Sequence, residues 1–229
     1  MKTLSGQTEA PASRTAAGFT MVELLVVMGI IAMMAALTVG VVKTLTEGAK
    51  QDSAEMLLQK VESALERYEQ QVGKYPSEIP TADWIRSRYT DDSQFSESEL
   101  NEIAQQLRLA NLQIASILVK MDEFSTEGGT HARELVKDPN TGDFLLVDPW
   151  YEGTQGLAHE IVQVDLDGDG TTDGPGLGYR FLNVVRGGHN SPGLDIWCNG
   201  ENGINDELNN YNPENPENYG DDIVNWARR

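Results

Sequence analysis

A single carboxylate, Glu23, stands at the start of a stretch that is otherwise apolar and carries no charge from Leu24 to Val42. At about 1.5 Å per residue, a helix over that stretch nearly spans the hydrocarbon core of a bilayer. A charge at the bilayer centre costs about 2.5–3.5 kcal/mol on insertion scales, and less near the interface. An acid placed here therefore needs a counter-charge, which makes Glu23 the first candidate functional residue.

In front of the apolar run lies a short polar leader, Met1 to Gly18, with Lys2, Glu9 and Arg14. Its net positive charge is thin, so the positive-inside rule gives a cytoplasmic N-terminus only weak support. A secretory signal peptide has its apolar region before the cleavage site. Here the small-residue site Ala16-Ala17-Gly18 precedes the apolar run. Cutting after Gly18 removes the polar leader and leaves the apolar helix at the new N-terminus. An ordinary signal anchor, or a secretory signal cut near Ala35-Ala36, leaves the insertion cost of Glu23 unexplained.

The order Gly18-Phe19-Thr20-Met21-Val22-Glu23 resembles the class III leader of type IV pilins and type II secretion pseudopilins. That family has Gly before the cut, an apolar first residue and Glu at the fifth mature position. The resemblance implies cleavage between Gly18 and Phe19 by a prepilin peptidase, with N-methylation of the new terminus. It also implies a cleaved leader over 1–18, a transmembrane and filament-core helix over 19–42, and a periplasmic head over 43–229. Glu23 would then accept the α-amine of Phe19 from an adjacent subunit, cancelling two charges and setting the axial stagger.

The chain of 229 residues has 36 acidic and 17 basic residues, a net charge of −19. Such a chain is repelled by nucleic acid and by anionic lipid. One cysteine, Cys198, excludes an internal disulfide framework. It reads as a small buried apolar residue, with no nearby basic group in the sequence to lower its pKa.

Helical periodicity continues beyond the apolar run. Leu45, Ala49, Met56, Val61, Leu65, Tyr68 and Val72 recur at mostly four-residue spacing, and no proline occurs between Phe19 and Tyr75. This predicts one long helix from Phe19 to about Val72, amphipathic over 43–72 and packed on the head. Gly73 and Pro76 supply its stop. Residues 81–137 form an enlarged middle region, in which Ser96 and Glu99 make a capping box. Leu100, Ile103, Leu107, Ile114, Leu118 and Met121 follow at helical spacing, widened by Leu109, Leu112 and Val119. They predict a second helix over about Glu97–Glu123 that packs into the core. From 140 onward, short apolar runs at Phe144–Val147, Ile161–Val164, Tyr179–Val185 and Leu194–Trp197 are bounded by Gly, Asp, Asn and Pro. They read as strands of a small antiparallel sheet, followed by an Asn/Gly-rich loop from Asn199 to Gly220. The fold class is α+β, and by resemblance pilin-like.

Two acidic segments carry metal chemistry. Asp165, Asp167 and Asp169 alternate, Gly170 permits a sharp bend, and the Thr171 carbonyl and Asp173 follow, as in the first half of an EF-hand-type loop. Oxygen donors select Ca²⁺ over zinc or copper. The twelfth position is Gly176 and Pro175 precedes it, so a shortened Ca²⁺ loop describes the segment better than an EF-hand. A solvated acidic turn is the plain alternative.

The second segment rests on resemblance. Gly73-Lys-Tyr-Pro76, Asp148-Pro-Trp150, Tyr179–Phe181 and Asp195-Ile-Trp-Cys-Asn-Gly-Glu-Asn-Gly203 with Asp221-Asp-Ile-Val-Asn-Trp226 are similar to segments of the major type II pseudopilin. That family binds a structural Ca²⁺ near its C-terminus. The resemblance implies a donor set drawn from Asp195, Asn199, Asn202, Asp221 and Asp222, with carbonyls of the Asn199–Gly203 turn. Cys198 stands where the family often has Ser and Asn202 where it often has Asp. A metal-free Asn/Gly loop remains the alternative.

No zinc, phosphate-loop, dinucleotide or Gly-x-Ser-x-Gly pattern occurs, and His131, His159 and His189 are widely spaced. The expected function is therefore structural rather than enzymatic. The chain reads as a subunit of a helical pseudopilus that starts as an inner-membrane protein with a periplasmic head. Its partners would be further copies, minor pseudopilins and the inner-membrane secretion platform. A type IV pilus pilin and a signal-anchored extracytoplasmic enzyme are the alternatives.

Overall fold

The computed structural model describes residues 19–88, 96–121, 133–139, 141–153, 157–164, 174–205 and 221–226, without the side chains of 38–43, 164 and 174. The chain divides into two compact units, Met1–Leu45 and Thr46–Arg229. The long helix α1 (Met21–Val72) runs through both.

In the first unit every residue from Met21 to Leu37 is exposed. An all-round apolar helix is at home only under lipid or other protein. Among the described residues no helix is long and apolar enough to cross a membrane. The described side chains of the apolar stretch end at Leu37, short of the Val42 that the sequence reading needs.

In the second unit α1 stops where its sequence says it should. Gly73 takes φ +82°, and its N–H bonds the Glu69 carbonyl at 2.7 Å. Only glycine adopts that conformation without cost. The buried face of α1 is Ala54, Leu57, Leu58, Val61, Ala64 and Leu65. Val61 and Leu65 are buried as the sequence predicts, whereas Leu45, Met56 and Val72 of the same expected stripe are exposed. The apolar residues on this part of the helix occur on more than one face, and packing against the head selects the stripe that is buried.

Helix α2 (Ala82–Arg86) is a single turn capped by Thr81, whose hydroxyl accepts the Trp84 N–H. Helix α3 (Glu97–Lys120) starts in the expected capping box of Ser96 and Glu99 and ends at the cap Met121. Leu100, Ile103, Leu107, Ile114 and Leu118 are buried on it, whereas Leu109 is exposed. The C-terminal half of α3 packs with α1, and its N-terminal half with α2 and the region around Phe181 and Trp197. Asn111 is buried on α3. Its side chain donates to the carbonyls of Leu146 (3.0 Å) and Leu182 (2.8 Å) and accepts the Leu146 N–H (2.9 Å). The middle helix is thus keyed into strand backbone.

Among the described residues the strands form three small antiparallel sheets rather than the single sheet expected. Strand β1 (Leu135–Lys137) pairs with β2 (Phe144–Leu146), and β3 (Glu160–Val164) with β4 (Gly174–Gly178). Strand β6 (Leu194–Cys198) lies between β5 (Asn183–Arg186) and β7 (Ile223–Val224). The run Tyr179–Val185 enters β5 only at Asn183, because Val147 and Leu146 first bond to Phe181 and Leu182. Strand β4, Gly-Pro-Gly-Leu-Gly, has little intrinsic strand propensity, and its pairing to β3 makes it a strand.

Candidate functional site

The N-terminal site lies within the first unit. Thr20 caps α1: its hydroxyl accepts the Glu23 N–H at 3.2 Å. Glu23 Oε2 in turn accepts the Thr20 N–H at 2.9 Å and the Thr20 hydroxyl at 2.8 Å. This is a reciprocal capping box, and it satisfies two of the donors that a helix start leaves open. Glu23 therefore has a local helix-starting role in the single chain, in addition to any role between chains. Phe19 is 81% exposed just before the cap. Gly18 lies outside the described residues.

The C-terminal candidate residues lie in the second unit, and the structure separates them. Asp195 does not join the others. Its carboxylate accepts the backbone N–H of His189 (2.7 Å) and of Asn190 (2.8 Å), fastening the turn between β5 and β6. Asn199 is fully buried in an amide ladder. Its Oδ1 accepts from Asn183 at 3.1 Å and its Nδ2 donates to the Tyr179 carbonyl at 3.2 Å. The Tyr179 hydroxyl donates to Asn183 at 2.7 Å and accepts from Asn205. Burial pushes that phenol up, and Asp222 adds to the shift.

Asn202 and Asp221 do meet: the Asn202 N–H donates to Asp221 Oδ2 at 2.9 Å. Asp222 is buried beside them in sequence. Gly200, at φ +22°, makes the approach possible, since a Cβ there would stand 2.1 Å from the Asp221 carbonyl oxygen.

The carbonyls of this turn already face a cation. Arg180 Nη1 donates to the carbonyls of Gly200 (2.6 Å) and Asn199 (3.3 Å), and Nη2 donates to that of Glu201 (2.7 Å). The Gly203 carbonyl accepts the Tyr179 N–H at 2.9 Å. Ca²⁺ takes six to eight oxygens. A divalent ion on the Asn199–Glu201 carbonyls would crowd a guanidinium that never gives up its charge. Among the described residues no group of three or more His, Cys, Asp or Glu could hold a metal ion. Arg180 thus already occupies the carbonyls that the resemblance assigns to an ion. Asp165, Asp167, Asp169, Thr171 and Asp173 lie outside the described residues. Their flanks are described: Val164 pairs with Gly174, so residues 165–173 connect the two ends of a closed hairpin.

Residues 13–39 match the family model of the prokaryotic N-terminal methylation motif. The match covers the N-terminal segment alone and supports a type IV pilin-like prepilin processed by a peptidase. It does not distinguish a secretion pseudopilus from a pilus. No curated protein and no solved structure matches the chain.

Two functional residues were not singled out from the sequence. Thr20 is one, and the Thr-x-x-Glu spacing could have found it. Arg180 is the other. Its signal is a lone cation within an apolar run, in a chain of strong net negative charge. Arg180 also reaches the buried Asp148 at 3.5 Å, and the Asp148 N–H bonds the Arg180 carbonyl at 3.1 Å. Burial pushes the Asp148 carboxyl up to about 7, against the pull of Arg180. Cys198 is fully buried, and burial with Asp148 and Asp222 nearby raises its thiol well above the ordinary value. It therefore stays protonated at neutral pH and is not a nucleophile.

Proposed function

We propose that this protein is the structural subunit of a periplasmic pseudopilus in a type II protein secretion system, closest to the major pseudopilin. It is inserted in the inner membrane as a single-pass precursor with its head in the periplasm. A prepilin peptidase cuts between Gly18 and Phe19, and the new terminus is N-methylated. The subunit joins a helical filament of further copies, with minor pseudopilins and the inner-membrane platform as partners. Growth of that filament pushes folded cargo outward.

One observation carries this reading. An apolar helix start, exposed on every face from Met21 to Leu37, begins at the single acid of a matched methylation motif. Such a surface has to be covered, and sister helices cover it while Glu23 takes up the α-amine of a neighbouring Phe19. The absence of a cysteine pair near the C-terminus favours a pseudopilin over a surface pilin, since Cys198 stands alone. The acidic segment 165–173 closes over a structural Ca²⁺ in this reading, with Asp165, Asp167, Asp169, the Thr171 carbonyl and Asp173 as donors.

The deciding experiment follows Glu23→Ala beside the wild type in cells that carry the peptidase. Wild-type protein should start at a methylated Phe19 and form filaments that need the secretion platform. Glu23→Ala should be inserted and cut, yet form none. Normal filaments from Glu23→Ala remove the proposed pairing, filaments that depend on pilus retraction machinery indicate a pilus subunit, and a terminus other than Phe19 removes both readings.

A further inference from the structure

We propose that Arg180 is the resident cation of the Asn199–Gly203 turn and closes it in place of a divalent ion. The carbonyls of Asn199, Gly200 and Glu201 all accept from this one guanidinium. A turn that points successive carbonyls to one side concentrates partial negative charge there, and a planar fork with several donors matches it. The turn is built to admit that fork. Gly203 adopts φ +74°, and a Cβ on it would stand 2.7–2.9 Å from the guanidinium atoms. Any side chain at 203 therefore displaces Arg180. The Nη1 that serves Asn199 and Gly200 also lies 3.5 Å from the fully buried carboxylate of Asp148. Within the turn Asn199 and Asn202 are neutral amides, which leaves Glu201 as its acidic side chain. On the far side the returning chain lies over Gly200, where Asp221 accepts the Asn202 N–H.

One charged side chain thus ties the turn to the Asp148 segment, and closure here does not depend on the calcium level of the compartment. This is independent of the ion proposed for 165–173 and of filament assembly.

The test uses the full chain in detergent, with Asp165→Asn, Asp167→Asn and Asp169→Asn to silence the acidic segment. Calorimetric titration with CaCl₂ should show no saturable binding. A saturable site that Asp221→Asn or Asp222→Asn abolishes overturns the proposal. In the same background, Arg180→Gln should raise amide exchange at Gly203 and Ile204 about tenfold, the scale of one lost net hydrogen bond or two. Exchange at Val185 and Ile196 should stay unchanged. Equal protection at Gly203 and Ile204 with and without the arginine also overturns it. The titration decides even if Arg180→Gln fails to fold.

Discussion

Nη1 of Arg180 stands 2.6 Å from the carbonyl oxygen of Gly200 and 3.5 Å from the carboxylate of Asp148. One cation is therefore shared between a buried acid and a row of backbone dipoles. The carbonyls hold the shorter contacts, so Asp148 is only partly compensated. That is why burial prevails and its carboxyl rises to about 7.

The raised value has a consequence for stability. The folded chain binds this proton more tightly than the unfolded chain does. The contribution of Asp148 is full below its ordinary value near 4 and is lost as pH rises toward 7. The rise from the ordinary value to about 7 corresponds to at most about 4 kcal/mol. Asp148→Asn keeps the acceptor for the Trp150 N–H and does not titrate. Its stability relative to wild type should improve by a few kcal/mol between pH 5 and pH 8. Thermal unfolding of both proteins across that range checks this, and parallel curves remove it.

The long helix offers a test of which face is buried. Leu58 is fully buried among residues of α1 and α3, while Met56 is 63% exposed. Leu58→Ala should cost about 2–5 kcal/mol through lost burial and the cavity left behind. Met56→Ala should stay within about 0.5 kcal/mol. Denaturant titration distinguishes the two, and equal effects mean that the helix packs in another phase.

Local chemistry made part of this fold legible. Ser96 with Glu99 and the left-handed Gly73 act within a few residues, so their spacing announces the start of α3 and the end of α1. The buried stripe of α1 was legible at Val61 and Leu65 but not at Leu57, because Met56 and Leu57 are equally apolar and only the packed head distinguishes them. Strand β4 was not legible either, since its glycines carry no strand preference and its partner is supplied by β3. At the candidate site, the acids at 195, 221 and 222 were visible as residue types. Their separation was not, because Asp195 is claimed by the turn at His189–Asn190, a contact made across the β5–β6 hairpin.

Asn111 tests whether the middle helix is integral to the head. It serves both the donor and the acceptor of Leu146 and the carbonyl of Leu182. Asn111→Leu keeps a similar volume but leaves the buried Leu146 N–H without this acceptor. The expected loss is about 1–3 kcal/mol for each buried group left unsatisfied. Calorimetric melting of the variant measures it. A loss below about 0.5 kcal/mol would mean that α3 is only loosely docked.

The calcium reading of 165–173 stands on its own test. Val164 and Gly174, on either side of the segment, are paired partners. An ion held by Asp165, Asp167, Asp169 and Asp173 would offset the repulsion among their carboxylates. An ion that binds only the folded chain stabilises it by about 2.7 kcal/mol at one hundred times its dissociation constant. For a chain of this size that is a melting shift of roughly 5–10 °C. Adding EDTA to the wild type should lower the melting temperature by that order, and adding it to Asp165→Asn/Asp167→Asn/Asp169→Asn should change nothing. If chelation leaves the wild-type melt where it was, these carboxylates hold no structural ion.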